Sequence, residues 1–302
     1  MKVVSLYRFI DIENPHSFRD QLEKLCNELG LLGTILVATE GFNGTLAGSE
    51  SAIRIVMDYI CDQFNIVEEL DARWTESDEA PFRKIRIKVK NEIVKLGRPD
   101  ILPHKRSGQH VDVDRWNELI LDPNILVIDT RNHYEIEVGT FPGALDPGND
   151  SFREFPYFAK ELAKQSIDRP IAMFCTGGIR CEKASALMLE LGFEDVYQLQ
   201  GGILNYLSEV SDAENKWSGE CFVFDTRVAI DRDLAEGRYV QCHACRRPLN
   251  TTDLVSPDYR EGVSCPQCVN EADEARILRL EERRKQVKMS AERESKHIGS
   301  KN

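Results

Sequence analysis

The sequence predicts an α/β fold with a doubly wound parallel sheet, preceded by a smaller α+β domain and followed by a small cysteine-rich module. The first reason is Ile171–Phe174, a short apolar run followed by a glycine-containing loop and a helical segment, as in a parallel α/β unit. The second reason is a βαββαβ order of periodicities over residues 1–96. The third is a pair of Cys-x2-Cys motifs, Cys242/Cys245 and Cys265/Cys268.

The composition is that of a soluble protein with two or three domains. The chain has 302 residues, of which 41% are hydrophobic and 30% charged. It contains no apolar run long enough to span a membrane and no signal core at the N-terminus, so we expect a cytoplasmic protein without a membrane partner. The nine cysteines are expected to be thiols or metal ligands. A net charge of −12 argues against indiscriminate coating of nucleic acid.

Residues 1–96 are predicted to form a ferredoxin-like, or acylphosphatase-like, α+β domain. Two amphipathic helices supply its core, and Cys26 and Cys61 lie on their apolar stripes. The predicted strands are Val3–Phe9, Gly33–Thr39, Asn43–Ala47 and Phe82–Val94, and the predicted helices are Pro15–Leu29 and Ser51–Phe64.

The last predicted strand of this domain carries a basic stripe. Between Arg83 and Arg106 there are nine Lys or Arg and two acidic residues, in a chain that is acidic overall. Such a local patch is suited to phosphates, so we expect this domain to contact RNA. The alternative is a solvated edge strand whose lysines discourage aggregation. The RNA-binding candidates are Lys84, Arg86, Lys88, Lys90, Lys105 and Arg106.

Residues 97–112 are predicted to be a linker, because they contain Pro and Gly and show no clean periodicity. Residues 113–211 then form the α/β domain, which opens with a short helix at Val113–Ile120 and a strand at Asn124–Ile128. Right-handed crossovers place Cys175 in a crevice at the carboxyl ends of the parallel strands.

The loop after Ile171–Phe174 is the predicted catalytic site. Cys175 ends a strand, and the helix that follows directs its positive dipole and its first backbone N–H groups towards the sulfur. Arg180 adds a positive charge, so we expect Cys175 to be a reactive thiolate rather than an inert buried thiol. The rest of the active-site loop is Thr176, Gly177, Gly178, Ile179 and Cys181.

The Cys-x4-Arg spacing makes a loop that surrounds one sulfur. Phosphatases with a loop of related shape have one more residue between the cysteine and the arginine. Together with Val127–Arg131, the Phe141–Ala144 run and Tyr197–Ile203, this loop resembles the rhodanese family over residues 113–210. The resemblance implies that Cys175 and Arg180 carry the chemistry. It also implies that Asp129, Arg131 and Glu135 are scaffold residues.

Residues 212–269 are predicted to form a zinc-ribbon-like module. The spacing Cys-x2-Cys-x19-Cys-x2-Cys is typical of a four-thiolate structural zinc site at Cys242, Cys245, Cys265 and Cys268. The alternative is four reduced or disulfide-paired cysteines. Residues 270–302 form a charged tail, which is expected to be a frayed helix followed by disorder.

The whole arrangement resembles the rhodanese-like tRNA uridine hydroxylase family. The resemblance implies a tRNA-modifying oxidoreductase that hydroxylates the wobble uridine at C5, with molecular oxygen as co-substrate and an essential loop cysteine. The sequence has no flavin or haem signature, so neither cofactor is expected. It does not indicate an oligomeric state.

The residues themselves permit a mechanism and two competing functions. As a hypothesis, Cys175 adds to C6 of uracil and makes C5 reactive towards oxygen, while Cys181 either resolves an oxidised Cys175 or is an unreactive helix cysteine. The main alternative is a rhodanese-type sulfurtransferase that carries a persulfide on Cys175. A third function class, a scaffold module, would not need Cys175 at all.

Overall fold

The computed structural model describes residues 1–67, 70, 72–77, 80–225 and 227–292, with side chains described as far as residue 289. It divides into two compact units, residues 1–133 with 142–216 and residues 134–141 with 217–302. The disorder that we predict for the end of the charged tail lies outside the described residues.

The N-terminal part of the first unit is an α+β sandwich, as predicted. Asn14 and Ser49 cap its two helices by accepting hydrogen bonds from Ser17 N and Ala52 N. Asn65 ends the second helix in the left-handed conformation. The elements are β1 (Lys2–Phe9), α1 (Pro15–Glu28), β2 (Leu32–Ala38), β3 (Gly41–Gly48), α2 (Glu50–Phe64), β4 (Ala72–Glu76) and β5 (Ile85–Val89).

The sheet of this domain differs from the prediction at its last strands. Among the described residues, five strands form one sheet in the order β4-β1-β3-β2-β5. The βαββαβ pattern is completed by β4, which pairs antiparallel with β1, and not by the predicted strand Phe82–Val94. That segment contributes β5, an additional strand that pairs parallel with β2 at the opposite edge. Alternation within β5 is as predicted, because Ile85 and Ile87 enter the core while Arg86 and Lys88 are exposed.

The central part of the first unit is a parallel α/β domain. Within the described residues, its sheet has the order β6-β10-β9-β7, and all three pairings are parallel. The elements of this part in chain order are β6 (Gln109–Val111), α3 (Val113–Leu119), β7 (Leu126–Asp129), a 3-10 turn (Phe152–Glu154), α5 (Phe155–Ser166), β9 (Ile171–Phe174), α6 (Ile179–Glu190), β10 (Val196–Leu199) and α7 (Gly202–Glu209). The short helix α4 (His133–Ile136) and strand β8 (Gly139–Thr140), which follow β7 in the chain, lie almost entirely in the second unit.

The predicted linker is partly built into this domain. Gln109–Val111 is strand β6, which pairs with β10 and forms one edge of the sheet. Ile101 is buried in the core of the α/β domain, and the Gly108 amide donates a hydrogen bond of 2.8 Å to Ser185 Oγ on α6. Hydrophobic periodicity did not indicate this strand, because its sequence is polar and a glycine precedes it.

Two buried contacts stabilise the sheet beneath the Cys175 loop. Arg131 and Asp129 form an ion pair with Arg131 Nη2 2.6 Å from Asp129 Oδ2, and both side chains are fully buried. Phe174, the last residue of β9, packs edge-on against Trp116 of α3 with ring centroids 5.7 Å apart. These contacts fit the scaffold role that the rhodanese resemblance implies for Asp129 and Arg131.

The second unit consists of short paired strands and a terminal helix. Strand β8 pairs with β11 (Ser218–Gly219), β12 (Cys221–Phe222) with β13 (Ala229–Ile230), and β14 (Val240–Gln241) with β15 (Pro248–Leu249). The helices are α8 (Thr251–Leu254) and α9 (Glu274–Glu292). In the part of the chain that the structure describes, no helix has both the length and the apolar character needed to cross a membrane.

Candidate active site

The cysteine loop joins β9 to α6 at the carboxyl end of the parallel sheet. All four residues of β9 are buried, so Cys175 begins the loop directly above the core. Gly178 takes a φ of +96° and is the N-cap of α6, which starts at Ile179. A side chain at Gly178 would be strained by this φ, and its Cβ would lie 2.9 Å from the hydroxyl of Tyr7.

The Cys175 sulfur accepts hydrogen bonds from the start of the helix. The Gly178 amide donates to Sγ across 3.1 Å. Burial alone would raise the pKa of Cys175. The hydrogen bond from the Cys181 thiol, the charge of Arg180 and the backbone amides of both residues outweigh it and lower the pKa to about 6. Cys175 is therefore mainly a thiolate at neutral pH.

Cys181 is the thiol partner of this thiolate. Burial, followed by the hydrogen bond and charge of Cys175, raises the pKa of Cys181 well above that of a free thiol. Its sulfur also lies 3.6 Å from Thr130 Oγ1. Cys181 consequently stays protonated and donates a hydrogen bond to the Cys175 sulfur. A thiol and a thiolate therefore lie side by side.

We expect the reactivity of Cys175 to follow a thiolate with an apparent pKa near 6. In Cys181→Ala the pKa should rise, because the hydrogen bond that lowers it most is lost. The measurement is the rate of iodoacetamide labelling at Cys175 from pH 5 to 10, read by peptide mass spectrometry. Cys61→Ala is the matched control and should leave the profile unchanged. A wild-type midpoint near that of a free thiol would contradict the assignment.

Arg180 and a second glycine pair hold the loop in shape. Arg180 is almost fully buried, and its Nη2 lies 3.5 Å from Thr176 Oγ1. The first residues of α7 donate to the loop carbonyls, from Ile203 N to Cys175 O at 2.9 Å and from Leu204 N to Thr176 O at 3.1 Å. A Cβ at Gly202 would lie 2.4 Å from Cys175 O, so glycine is required there. Gly202 lies within the Tyr197–Ile203 part of the resemblance, but the sequence analysis assigned it no role.

The N-terminal domain borders the loop, which no sequence signal indicated. Tyr7 on β1 has its hydroxyl beside Gly178, and Arg73 on β4 donates a hydrogen bond of 2.8 Å to Gly201 O. Ile179 packs on a small apolar cluster that contains Phe9 and Tyr7. Cys175 lies at the carboxyl end of β9, as predicted, but it is only 1% exposed, so the sulfur is covered in this conformation.

A buried ion cluster fastens α6 to the N-terminal domain. Lys183 Nζ lies 2.8 Å from Glu40 Oε2 and 2.7 Å from Glu92 Oε2, and the lysine is fully buried. Glu40 also accepts from Ile93 N, and burial raises the pKa of its carboxyl despite the contact with Lys183. Lysine in the second turn of an amphipathic helix is normally exposed, so sequence reasoning assigned Lys183 no role.

The basic residues proposed for RNA binding are all exposed. Lys84, Arg86, Lys88 and Lys90 lie on β5 or directly beside it. Lys105 and Arg106 lie in the turn that precedes β6. These six residues therefore lie on or beside β5 and before β6, whereas the cysteine loop joins β9 to α6.

The four C-terminal cysteines come together in the second unit. The sulfurs of Cys242, Cys245, Cys265 and Cys268 all lie within 4.8 Å of one another. The Cys245–Cys265 and Cys265–Cys268 sulfur distances are 3.8 and 3.6 Å. Tetrahedral zinc with Zn–S bonds of about 2.3 Å would separate its sulfurs by about 3.8 Å. The cluster therefore fits a four-thiolate zinc site.

We predict one bound zinc ion per chain. Cys265→Ser should lose the metal and expose the second unit to proteolysis, because small four-thiolate modules depend on their metal for folding. Metal content is measured by mass spectrometry after purification without chelators, and proteolysis is followed at the same time. Cys221→Ser, a buried cysteine outside the cluster, is the control and should keep the metal. Wild-type protein that neither contains nor takes up zinc would rule the site out.

Comparison with known proteins identifies two domains. Residues 1–93 match the UPF0176 acylphosphatase-like domain, and residues 112–209 match the rhodanese-like domain. The two matches agree with the predicted fold classes of both parts.

Solved structures include several with limited similarity. A rhodanese-like domain from Anabaena sp. is 18% identical, covering 36% of this chain and 78% of that one, with a TM-score of 0.30. The human single-domain sulfurtransferase TSTD1 is 22% identical over 34% of this chain and 99% of that one, with a TM-score of 0.29. A Bacillus halodurans protein is 23% identical over 38% and 80% of the two chains, with a TM-score of 0.30.

Proposed function

Since the chain joins a UPF0176 acylphosphatase-like domain to a rhodanese-like domain, we propose that it modifies tRNA by oxygen-dependent 5-hydroxylation of the wobble uridine. The observation that carries the proposal is the pairing of a Cys175 thiolate with a protonated Cys181 at a loop bordered by the N-terminal domain. A thiolate is the nucleophile needed to add to a pyrimidine ring, and the adjacent thiol can act as the reductant in the same reaction.

In the proposed reaction, Cys175 Sγ adds to C6 of the uracil and shifts electron density to C5. C5 then forms a bond to molecular oxygen and, with a proton, becomes a hydroperoxide. The Cys181 thiol attacks the outer oxygen, which breaks the O–O bond, leaves a hydroxyl on C5 and makes Cys181 a sulfenic acid. Loss of the C5 proton and cleavage of the C6–S bond release 5-hydroxyuridine.

The two cysteines then close the electron balance. The freed Cys175 thiolate attacks the Cys181 sulfenic acid, giving a disulfide and hydroxide. One oxygen atom is thus in the product and the other in water, and two electrons come from uridine and two from the dithiol. A cellular thiol reductant restores the pair. Because Cys175 is buried, the base must displace side chains beside the loop before it reaches the sulfur.

The test is a single turnover with fully reduced protein, tRNA and ¹⁸O₂, without added reductant. We expect one ¹⁸O-labelled hydroxyuridine at the wobble position and one Cys175–Cys181 disulfide per turnover, both read by mass spectrometry. Cys61→Ser should behave as wild type. Label that enters from water, or product without Cys175, would exclude the proposal.

A sulfurtransferase is the second candidate, and the rhodanese-like match favours it. The same thiolate would accept a sulfane sulfur from thiosulfate, releasing sulfite, and pass it from the Cys175 persulfide to an acceptor. Intact-protein mass spectrometry after incubation with thiosulfate separates the two functions. One added sulfur on Cys175 together with unmodified tRNA would favour the sulfurtransferase.

A further inference from the structure

The N-terminal sheet has one side that its own helices do not cover. Core residues alternate along each strand, so Val4, Leu6, Ile35, Val37 and Ile87 face α1 and α2. The intervening residues face the other way and form what we call the outer sheet face. Its members are Ser5 and Tyr7 on β1, Asn43 and Thr45 on β3, Thr34 and Leu36 on β2, Arg73 on β4, and Arg86 and Lys88 on β5.

Strand register arranges these side chains in rows. One row runs Arg73, Ser5, Thr45, Thr34 and Arg86 across all five described strands. Its centre is linked by Ser5 Oγ and Thr45 Oγ1 at 3.1 Å, and an arginine stands at either end. With strands about 4.8 Å apart, the row is about 19 Å wide. Four-stranded sheets of comparable width bind unpaired RNA by stacking two or three bases on aromatic side chains of the sheet.

The neighbouring row contains an aromatic residue beside the active loop. It runs from Tyr7 through Asn43 and Leu36 to Lys88. Tyr7 is half-buried, and its hydroxyl lies next to Gly178, whose amide donates to the Cys175 sulfur. The outer sheet face therefore continues to the loop that holds the reactive thiolate.

The charge of this face is opposite to that of the whole protein. Its three charged members, Arg73, Arg86 and Lys88, are all positive, and none of its members in the described strands is acidic. The chain as a whole has a net charge of −12. Solvent reaches the face, since Ser5, Arg86 and Lys88 are exposed and the others are partly exposed. A polyanion with flat, unpaired bases has the complementary chemistry.

We propose that the outer sheet face binds a single-stranded RNA segment and directs one base towards Cys175. Arg86, Lys88 and Arg73 contact backbone phosphates, and Tyr7 contacts the base that enters the loop. This inference rests on the proposed function, because it assumes an RNA substrate. It extends that function by placing the substrate on the whole face rather than on the basic edge strand alone.

The experiment measures binding of a fluorescein-labelled single-stranded oligouridylate twelve nucleotides long by fluorescence anisotropy. Arg86→Ala/Lys88→Ala should weaken binding about tenfold at low salt and reduce the salt slope by about 1.4, as expected for two lost phosphate contacts on a single strand. Lys24→Ala/Lys160→Ala, which removes two exposed charges from helices, is the matched control and should bind as wild type. Tyr7→Ala should lower the affinity for oligouridylate about tenfold, whereas Tyr7→Phe, which keeps the ring, should lower it little.

A second readout locates the bound strand. Saturating oligouridylate should slow iodoacetamide labelling of Cys175 in the wild type and in the control. It should not do so in Arg86→Ala/Lys88→Ala at the same concentration. The inference would be overturned if both double variants bound oligouridylate equally weakly, or if the wild type did not bind it. Binding that leaves the labelling of Cys175 unchanged would also overturn it. A stronger preference for duplex RNA of the same length would also overturn it.

The binding data remain independent of the catalytic proposal. Binding that requires the outer sheet face, without any hydroxyuridine in the turnover assay, would refute the hydroxylase and retain the RNA surface. Unchanged hydroxyuridine formation and unchanged tRNA binding in Arg86→Ala/Lys88→Ala would refute the RNA surface and retain the hydroxylase.

Discussion

Cys175→Ser is expected to lower hydroxyuridine formation by at least about 10³-fold, because a serine hydroxyl does not ionise at neutral pH and cannot add to C6 of uracil. The substitution changes one buried atom, and the surrounding donors, Gly178 N and the Cys181 thiol, remain in place. The measurement is the yield of modified nucleoside from tRNA under single-turnover conditions, together with the affinity for tRNA. The affinity should not change.

The control for this prediction is Cys61→Ser, which makes the same substitution on a helix of the N-terminal domain. It should retain wild-type yield. A Cys175→Ser protein that is folded and still forms hydroxyuridine would show that the loop has a scaffolding role only.

Lys183→Met is expected to destabilise the protein by about 3–5 kcal/mol, because it leaves two carboxylates buried without their cation. Glu40 and Glu92 both contact the Lys183 ammonium group and lie on segments of the N-terminal domain, whereas Lys183 lies on α6. The loss should appear in urea unfolding, with a lower midpoint. Catalysis should also fall in the folded fraction, since α6 carries Arg180 and Cys181.

Lys164→Met on α5 is the matched control, because Lys164 pairs with Glu161 at an exposed site. It should leave the midpoint of urea unfolding close to that of the wild type, because an exposed ion pair contributes little to stability. Adding Glu40→Gln to Lys183→Met should recover part of the loss, since one unpaired charge is removed. If Lys183→Met is no less stable than Lys164→Met, the cluster does not fasten the two domains.

The local features of the site could be predicted because neighbouring residues determine them. Ile171–Phe174 is a strand as the apolar run indicated, and the Cys175 loop lies at its carboxyl end. The thiolate environment follows from the glycine before the helix, and from Cys181 and Arg180 within it. The alternation that exposes Arg86 and Lys88 follows from strand geometry alone.

The features that were missed depend on distant parts of the chain. Lys183 meets Glu40 from 143 residues away, and no periodicity signals such a pair. Tyr7 and Arg73 reach the loop only because the N-terminal sheet packs beside it. Strand β4 escaped detection because it is five residues long and contains two charged side chains. The burial of Cys175 likewise comes from tertiary packing, which a local reading of the loop omits.

The central claim, a covalent bond between the Cys175 sulfur and a nucleobase, is tested most directly with tRNA that carries 5-fluorouridine at the wobble position. Fluorine replaces the C5 hydrogen, so the elimination that should free the enzyme cannot occur. We predict an adduct that survives denaturation and maps to Cys175 by mass spectrometry, and that is absent in Cys175→Ser. Absence of the adduct from wild-type protein that hydroxylates ordinary tRNA normally would contradict the account.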